Sequence, residues 1–453
     1  MITRITSLLF VLASMSIVVH FSLPALAGPV PSTLTLGFLL LSAYGFGFLL
    51  ELIGLPRITG YILAGLFFGP SFLAFFDQAS VGSLSFINSL ALAFIAFCAG
   101  GELRLSEIQK QLKSIVYLIV GSSLVVFLGV TFFVFLVSTK IAFMADYPLF
   151  VRLAISSLFG IIAVARSPSS TIAIISETKA KGPYTSLVLS VTVAKDVVII
   201  AAFAVLVSVC QLVIKTTGNF NIVFVLLLLL EIIMAFILGF FLGKGIVFLI
   251  EKVGVEFPII IVGMGFFVIK FSHYFGHYLQ SAHDISINLE PLLICMAAGY
   301  TVQNYSKHGK TFLARLDRVS LPIYIAFFAI AGASIDIEVL KTGWMLGLLV
   351  VFVRTGTLYI GCYYSGKWAG DKKLIYKNSW MGFITQAGVS LGLLTEIVRR
   401  FPEIGVPIQS ILIAAITVNQ IIGPILFKIA LNKVGETNIK KPKDLEKGCT
   451  TMV

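Results

Sequence analysis

The sequence predicts an all-α polytopic membrane protein of about 13 transmembrane helices, built as inverted repeats with two broken crossing helices. Three observations carry that expectation. Apolar stretches of helix length recur from residue 33 to residue 430. Only 12% of the 453 residues are charged against 58% hydrophobic, whereas a soluble domain carries ~25% charged residues. Lys and Arg gather in alternate loops, the asymmetry that orients a multi-pass chain.

Residues 1–27 read as a signal peptide. A basic start ends at Arg4, an apolar run follows, and Ala25-Leu26-Ala27 before Gly28 fits a small-residue cleavage site. The alternative is an uncleaved extra N-terminal helix, and either way the next helix starts outside. Thirteen spans follow, at about 33–54, 58–75, 83–101, 113–138, 149–176, 184–210, 221–250, 256–272, 286–304, 316–335, 342–366, 378–398 and 405–430. A hydrocarbon core takes about 20 helical residues, and the second and eighth spans are the least clear. No connection is long enough to hold a soluble domain. Residues 28–431 therefore read as one transmembrane unit and 432–453 as a Lys-rich cytoplasmic tail.

With the N-terminus outside, twenty-one Lys and Arg fall in inner loops or the tail and six on the outer side. This positive-inside bias explains the net charge of +12 without nucleic acid; the expected location is the cell inner membrane, with the C-terminus cytoplasmic. Cys98, Cys210, Cys295, Cys362 and Cys449 show no paired spacing. Four sit in apolar runs and read as small hydrophobes rather than metal ligands or a disulfide frame. His273, His277 and His283 are read as solvated residues of one outer loop, the alternative being a sensor of external pH or a weak metal site.

A weak internal repeat is present. Residues 98–105 (CAGGELRL) match 330–337 (IAGASIDI) at the ends of spans three and ten. Each is followed by one long span and then by a span broken with small and polar residues. The breaks are 163–170 (AVARSPSS) and 385–392 (TQAGVSLG), and a span with internal polar residues follows each. A separation of seven spans inverts the second copy across the membrane. Inverted repeats with matching broken helices mark secondary transporters, with the site at the breaks.

Charges inside a bilayer are costly and usually functional. Arg166, Lys195, Asp196, Glu231 and Arg354 lie well inside spans. Asp196 interrupts an otherwise apolar run. A carboxylate there holds a dehydrated cation or a proton, and that competition is the physical core of antiport. The plainer alternative is a pair with a basic neighbour that holds the bundle together. Helix neighbours do not face each other, so Lys195 points elsewhere, as a proton carrier or as a structural ammonium. Arg354 stays charged and either tunes a carboxylate or ties helices. Arg166 sits in the first break, lining a cavity or an interface. Glu231 is protonated or paired, and Asn419 and Gln420 are helix–helix hydrogen-bond partners.

Taken in order, residues 55–70 (LPRITGYILAGLFFGP), 93–105, 165–183 leading into VAKDVV at 193–198, 325–336 and 385–394 (TQAGVSLGLL) resemble the monovalent cation:proton antiporter-2 family, the NapA-like and Kef-like antiporters. The resemblance spans residues 33–430. It implies a NapA/NhaA-like fold, a homodimer, and a core domain moving against a scaffold, with Asp196 at the position of the family's ion-site aspartate. Arg354 falls where the family carries a basic residue before the second broken helix. The expected site is then Asp196 and Lys195 for the ion or proton, tuned by Arg354, Arg166, Ser167, Ser169, Gln386 and Glu231.

The chain departs from the family at Lys195, where Asp, Asn or Gln is usual, and at Arg166, where a small or polar residue is usual. If Arg166, Lys195, Asp196 and Arg354 all faced one cavity, that cavity would be basic and would oppose cations. An anion transporter, or a non-transporting or sensory relative, is therefore the alternative to Na⁺ or K⁺/proton exchange. The expected partners are a monovalent cation, protons, the lipid bilayer and a second copy of the chain. Neither an enzyme nor a cofactor is indicated, since there is no nucleophile–base set, phosphate loop or metal cluster.

Overall fold

The computed structural model describes residues 32–215, 222–253, 257–283, 289–335 and 337–437. The signal segment 1–27, tail residues 438–453 and Cys449 lie outside the described residues. The helices, in chain order, are α1 (Ser32–Leu52), α2 (Arg57–Phe68), α3 (Gln78–Ser83), α4 (Ser85–Glu102), α5 (Leu105–Lys110), α6 (Leu112–Val137), α7 (Leu149–Val164), α8 (Pro168–Thr178) and α9 (Pro183–Lys215). They continue as α10 (Ile222–Val253), α11 (Phe257–His283), α12 (Pro291–Tyr305), α13 (Gly309–Ala333), α14 (Ile337–Ala369), α15 (Lys373–Asn378), α16 (Gly388–Arg400) and α17 (Pro402–Val434).

Among the described residues, nine spans are long and apolar enough to cross a membrane. The other four apolar segments of the sequence fall on α2, α11, α12 and the broken unit that contains α16. One of them differs in length from its reading. Apolarity alone ends the eighth span near residue 272, but α11 runs on to His283. His273, His277 and His283 therefore lie on a helix and not in an outer loop. Phe267, Phe271 and Phe275 stack at four-residue spacing along it, which favours helix over loop through the polar stretch.

Lipid-facing surface is explicit on α6. Leu112, Val116, Val120, Leu124, Leu128, Phe132 and Leu136, four residues apart, are all exposed. Such a stripe has no partner in water and is at home in acyl chains. The opposite face of α6, with Leu118, Ser122, Val126 and Val130 buried, packs extensively on α14. Small residues permit the approach: a Cβ on Gly361 would lie 2.9 Å from Ser122 Cα, the close contact that holds helices together where lipid supplies no hydrophobic drive. The expected repeat partners α6 and α14 thus pack on each other, and the broken units cross beside them.

Candidate functional site

Both breaks lie where the sequence places them. The first separates α7 from α8 at Ala165–Ser167, and the second separates a 3-10 turn (Ser379–Phe383) from α16 at Ile384–Ala387. Local chemistry explains the first. Pro168 occupies the first turn of α8, where its missing N–H costs nothing, and the Ser167 hydroxyl caps the helix by accepting from the Ser170 amide at 3.3 Å. The two breaks touch: the Ser167 amide donates to the Thr385 carbonyl at 3.0 Å.

Each break exposes helix-end carbonyls, which are costly to bury unpaired. Arg354, on α14, supplies the donors. Its Nε donates to Ala163 O at 2.7 Å, and one terminal nitrogen donates to Ile384 O at 2.8 Å. The other reaches Ala165 O at 3.4 Å and Phe383 O at 3.3 Å. A fixed cation thus sits against the carbonyl ends of two half-helices, the negative poles of their dipoles. Gln386 adds a second tie, donating to Ile162 O at 3.0 Å and accepting from Asn419 at 2.8 Å. Ser390, one turn into α16, is fully buried and its hydroxyl has no hydrogen-bond partner.

Asp196 lies elsewhere. It faces a cavity of about 350 Å³ lined also by Ser167, Pro168 and Ser169 from the start of α8, by Glu231 on α10, Glu290 before α12, and Glu396, Arg399 and Arg400 on α16. Asp196 is 7% exposed, and its Oδ1 has no hydrogen-bond partner. The cavity therefore carries four carboxylates, one of them, Glu396, in contact with both Arg399 and Arg400. The amide end of α8, a positive pole, borders the same space.

The other three inner cations do not line this cavity. Lys195, on α9, and Arg166, in the first break, are each 1% exposed and point instead to Ser122 on α6. Lys195 Nζ donates to the Ser122 hydroxyl at 3.2 Å, and Arg166 donates to the same oxygen at 2.9 Å. The Arg166 guanidinium also lies over the Phe383 ring, 3.7 Å from its centroid. The basic cavity considered from the sequence does not form. Asp196, Ser167, Ser169 and Glu231 share one space, Arg354 and Gln386 hold the crossing, and Lys195 and Arg166 meet at Ser122.

A family model described as sodium/hydrogen exchanger, transmembrane, matches residues 36–433. The chain belongs to the sodium/hydrogen exchanger family. That makes it a secondary transporter and not an enzyme. Two solved structures of the sodium proton antiporter MjNhaP1 from Methanocaldococcus jannaschii share its fold. One, at pH 8, has a TM-score of 0.64 at 17% identity and covers 89% of this chain and 96% of that one. The other, from an electron-microscopy map, has a TM-score of 0.68 at 19% identity and covers 90% and 98%. No curated protein sequence matches the chain.

Sequence reasoning missed several residues of this candidate site. Ser122 is one serine among several in apolar helices, and only the packing of α6 against α9 singles it out. Glu290 and Glu396 sit near helix ends, and nothing in their sequence surroundings brings them to one space. Among the described residues, no group of three or more His, Cys, Asp or Glu side chains could hold a metal ion.

Proposed function

We propose that this exchanger swaps a monovalent cation, Na⁺ or K⁺, for protons at the Asp196 carboxylate. One observation carries the reading: Asp196 is buried with Oδ1 unpartnered, on an acidic cavity from which Lys195, Arg166 and Arg354 are excluded. An ionised carboxylate out of water costs several kcal/mol unless it is compensated. Two states relieve that cost, a bound proton and a bound cation, and one carboxylate cannot hold both. Glu231 and Glu290 draw cations into the cavity, Glu396 being paired with Arg399 and Arg400, and the Ser167 and Ser169 region offers oxygens to a dehydrating ion.

The remaining assignments follow from the same reading. Arg354 and Gln386 keep the crossing rigid while the ion exchanges. Lys195 is the resident ammonium that competes with the transported cation when it is not held away. With the Lys- and Arg-rich loops inside, the cavity opens to the outer side through Glu290, Arg399 and Arg400, and the C-terminus is cytoplasmic. The protein works in the inner membrane, as a homodimer. Proteoliposomes loaded with a pH dye and pulsed with Na⁺, K⁺ or chloride salts test the reading. Proton flux that follows the cation and vanishes in Asp196→Asn supports it. Flux that follows the anion overturns it.

A further inference from the structure

We propose that Ser122 is a positioning residue for the exchange: its hydroxyl holds the Lys195 ammonium behind the site and so leaves Asp196 to the transported ion. The inference rests on the reading of Asp196 as the ion station.

Ser122 is fully buried on α6. Its hydroxyl donates to Leu118 O at 2.5 Å and accepts from Arg166 at 2.9 Å and from Lys195 at 3.2 Å. A serine hydroxyl has one donor and two acceptor lone pairs, so all three are in use. The bond to Leu118 fixes the rotor, and both lone pairs then meet the two cations. The oxygen's position is itself set by packing, because α14 presses Gly361 against the Ser122 backbone.

Two like charges on one neutral oxygen need a reason. Arg166 has one in the Phe383 ring beneath it. Lys195 is the mobile partner, a compact charge on a flexible four-carbon stem. Its backbone neighbour is Asp196, whose Oδ1 has no hydrogen bond. Adjacent helix residues diverge by about 100°, so Lys195 extended towards Ser122 points away from the carboxylate. Once Ser122 no longer accepts, the carboxylate of the next residue, short of one hydrogen bond at Oδ1, is open to the ammonium. The hydroxyl therefore sets whether the chain's own ammonium or the external cation occupies the carboxylate, which makes it a determinant of apparent cation affinity.

The test is cation-dependent proton flux in proteoliposomes for wild type, Ser122→Ala, Lys195→Gln and the double variant, with KM and Vmax separated. Ser122→Ala is expected to raise the cation KM about tenfold, the order of effect of one freed ammonium beside a carboxylate, with Vmax within about twofold. The double variant is expected to match Lys195→Gln, because no ammonium remains to be freed. A Ser122→Ala KM within twofold of wild type overturns the proposal. So does a tenfold rise that persists in the Lys195→Gln background. Should Ser122→Ala fail to fold, Ser122→Cys replaces it, with similar size and a weaker acceptor: a raised KM supports the proposal and an unchanged one overturns it. Saturable cation-dependent flux in Asp196→Asn would instead sink the reading of Asp196, and it is scored separately from the Ser122 variants.

Discussion

Ser167 and Thr385 join the two broken helices: the amide of the first donates to the carbonyl of the second at 3.0 Å. The crossing is thereby a single bonded unit, and Arg354 closes it by donating to Ala163, Ala165, Phe383 and Ile384.

Arg354→Ala removes the donor from all four carbonyls and the cation from two helix ends. Hydrogen bonds to charged groups contribute ~1.5–3 kcal/mol each, non-additively, so the variant should lose at least ~3 kcal/mol. Arg354→Lys keeps the charge without the planar fork and should fall between. Thermal unfolding of purified protein in detergent is expected to rank wild type above Arg354→Lys above Arg354→Ala. Equal melting of all three would deny the tie any structural weight.

How much of this was legible in the sequence depended on the kind of signal. Asp196 and both breaks stand out because a charge or a Ser-Pro pair inside an apolar run is costly in lipid unless it lines a polar cavity. Lys195 and Arg166 were equally visible, but their direction was not. Which side of α9 a lysine leaves from, and that Ser122 waits there, depends on how α6, α9 and α14 pack. A cavity basic on paper is acidic in the fold partly for that reason. Glu231 was visible as a lone charge, while Glu290 and Glu396 joined the same space only once α10, α12 and α16 were placed.

The Lys-rich C-terminal segment hid a structural acid. α17 runs to Val434, past the boundary expected at residue 431, and Glu436 folds back onto the start of α9. Its carboxylate accepts from the Tyr184 amide at 2.8 Å and from the Thr185 amide and hydroxyl at 2.7 Å. The helix that carries Asp196 is therefore capped by a residue some 250 positions away. A cap and a favourable dipole contact together make Glu436→Ala cost ~1–2 kcal/mol, with Glu436→Gln retaining part of it. Chemical or thermal unfolding reads the loss, and an unchanged midpoint for Glu436→Ala would contradict it.

Asp371, in the turn after α14, is half-buried and accepts from the Ser114 hydroxyl at 2.5 Å, while its Oδ2 has no hydrogen-bond partner. Burial pushes its carboxyl above the ordinary carboxylate range, partly offset by the Ser114 bond. The folded chain therefore holds this proton more tightly than the unfolded chain does. Its contribution to stability is fully present below the ordinary carboxylate pKa of about 4 and is lost as pH rises through the raised folded value. Asp371→Asn keeps an acceptor for Ser114 and removes the charge. It should be at least as stable as wild type at neutral pH and should flatten the stability curve across that window. A wild type clearly more stable than Asp371→Asn at neutral pH would show that the ionised form is the favoured one.

The most direct measurement is proton release on cation binding. Purified protein in a weakly buffered detergent solution is titrated with NaCl or KCl, with a salt of an impermeant organic cation as control. If Asp196 holds either a proton or a cation, adding the transported ion releases protons with saturation, and Asp196→Asn releases none. Cation binding without proton release, or release undiminished in Asp196→Asn, would contradict exchange at this carboxylate.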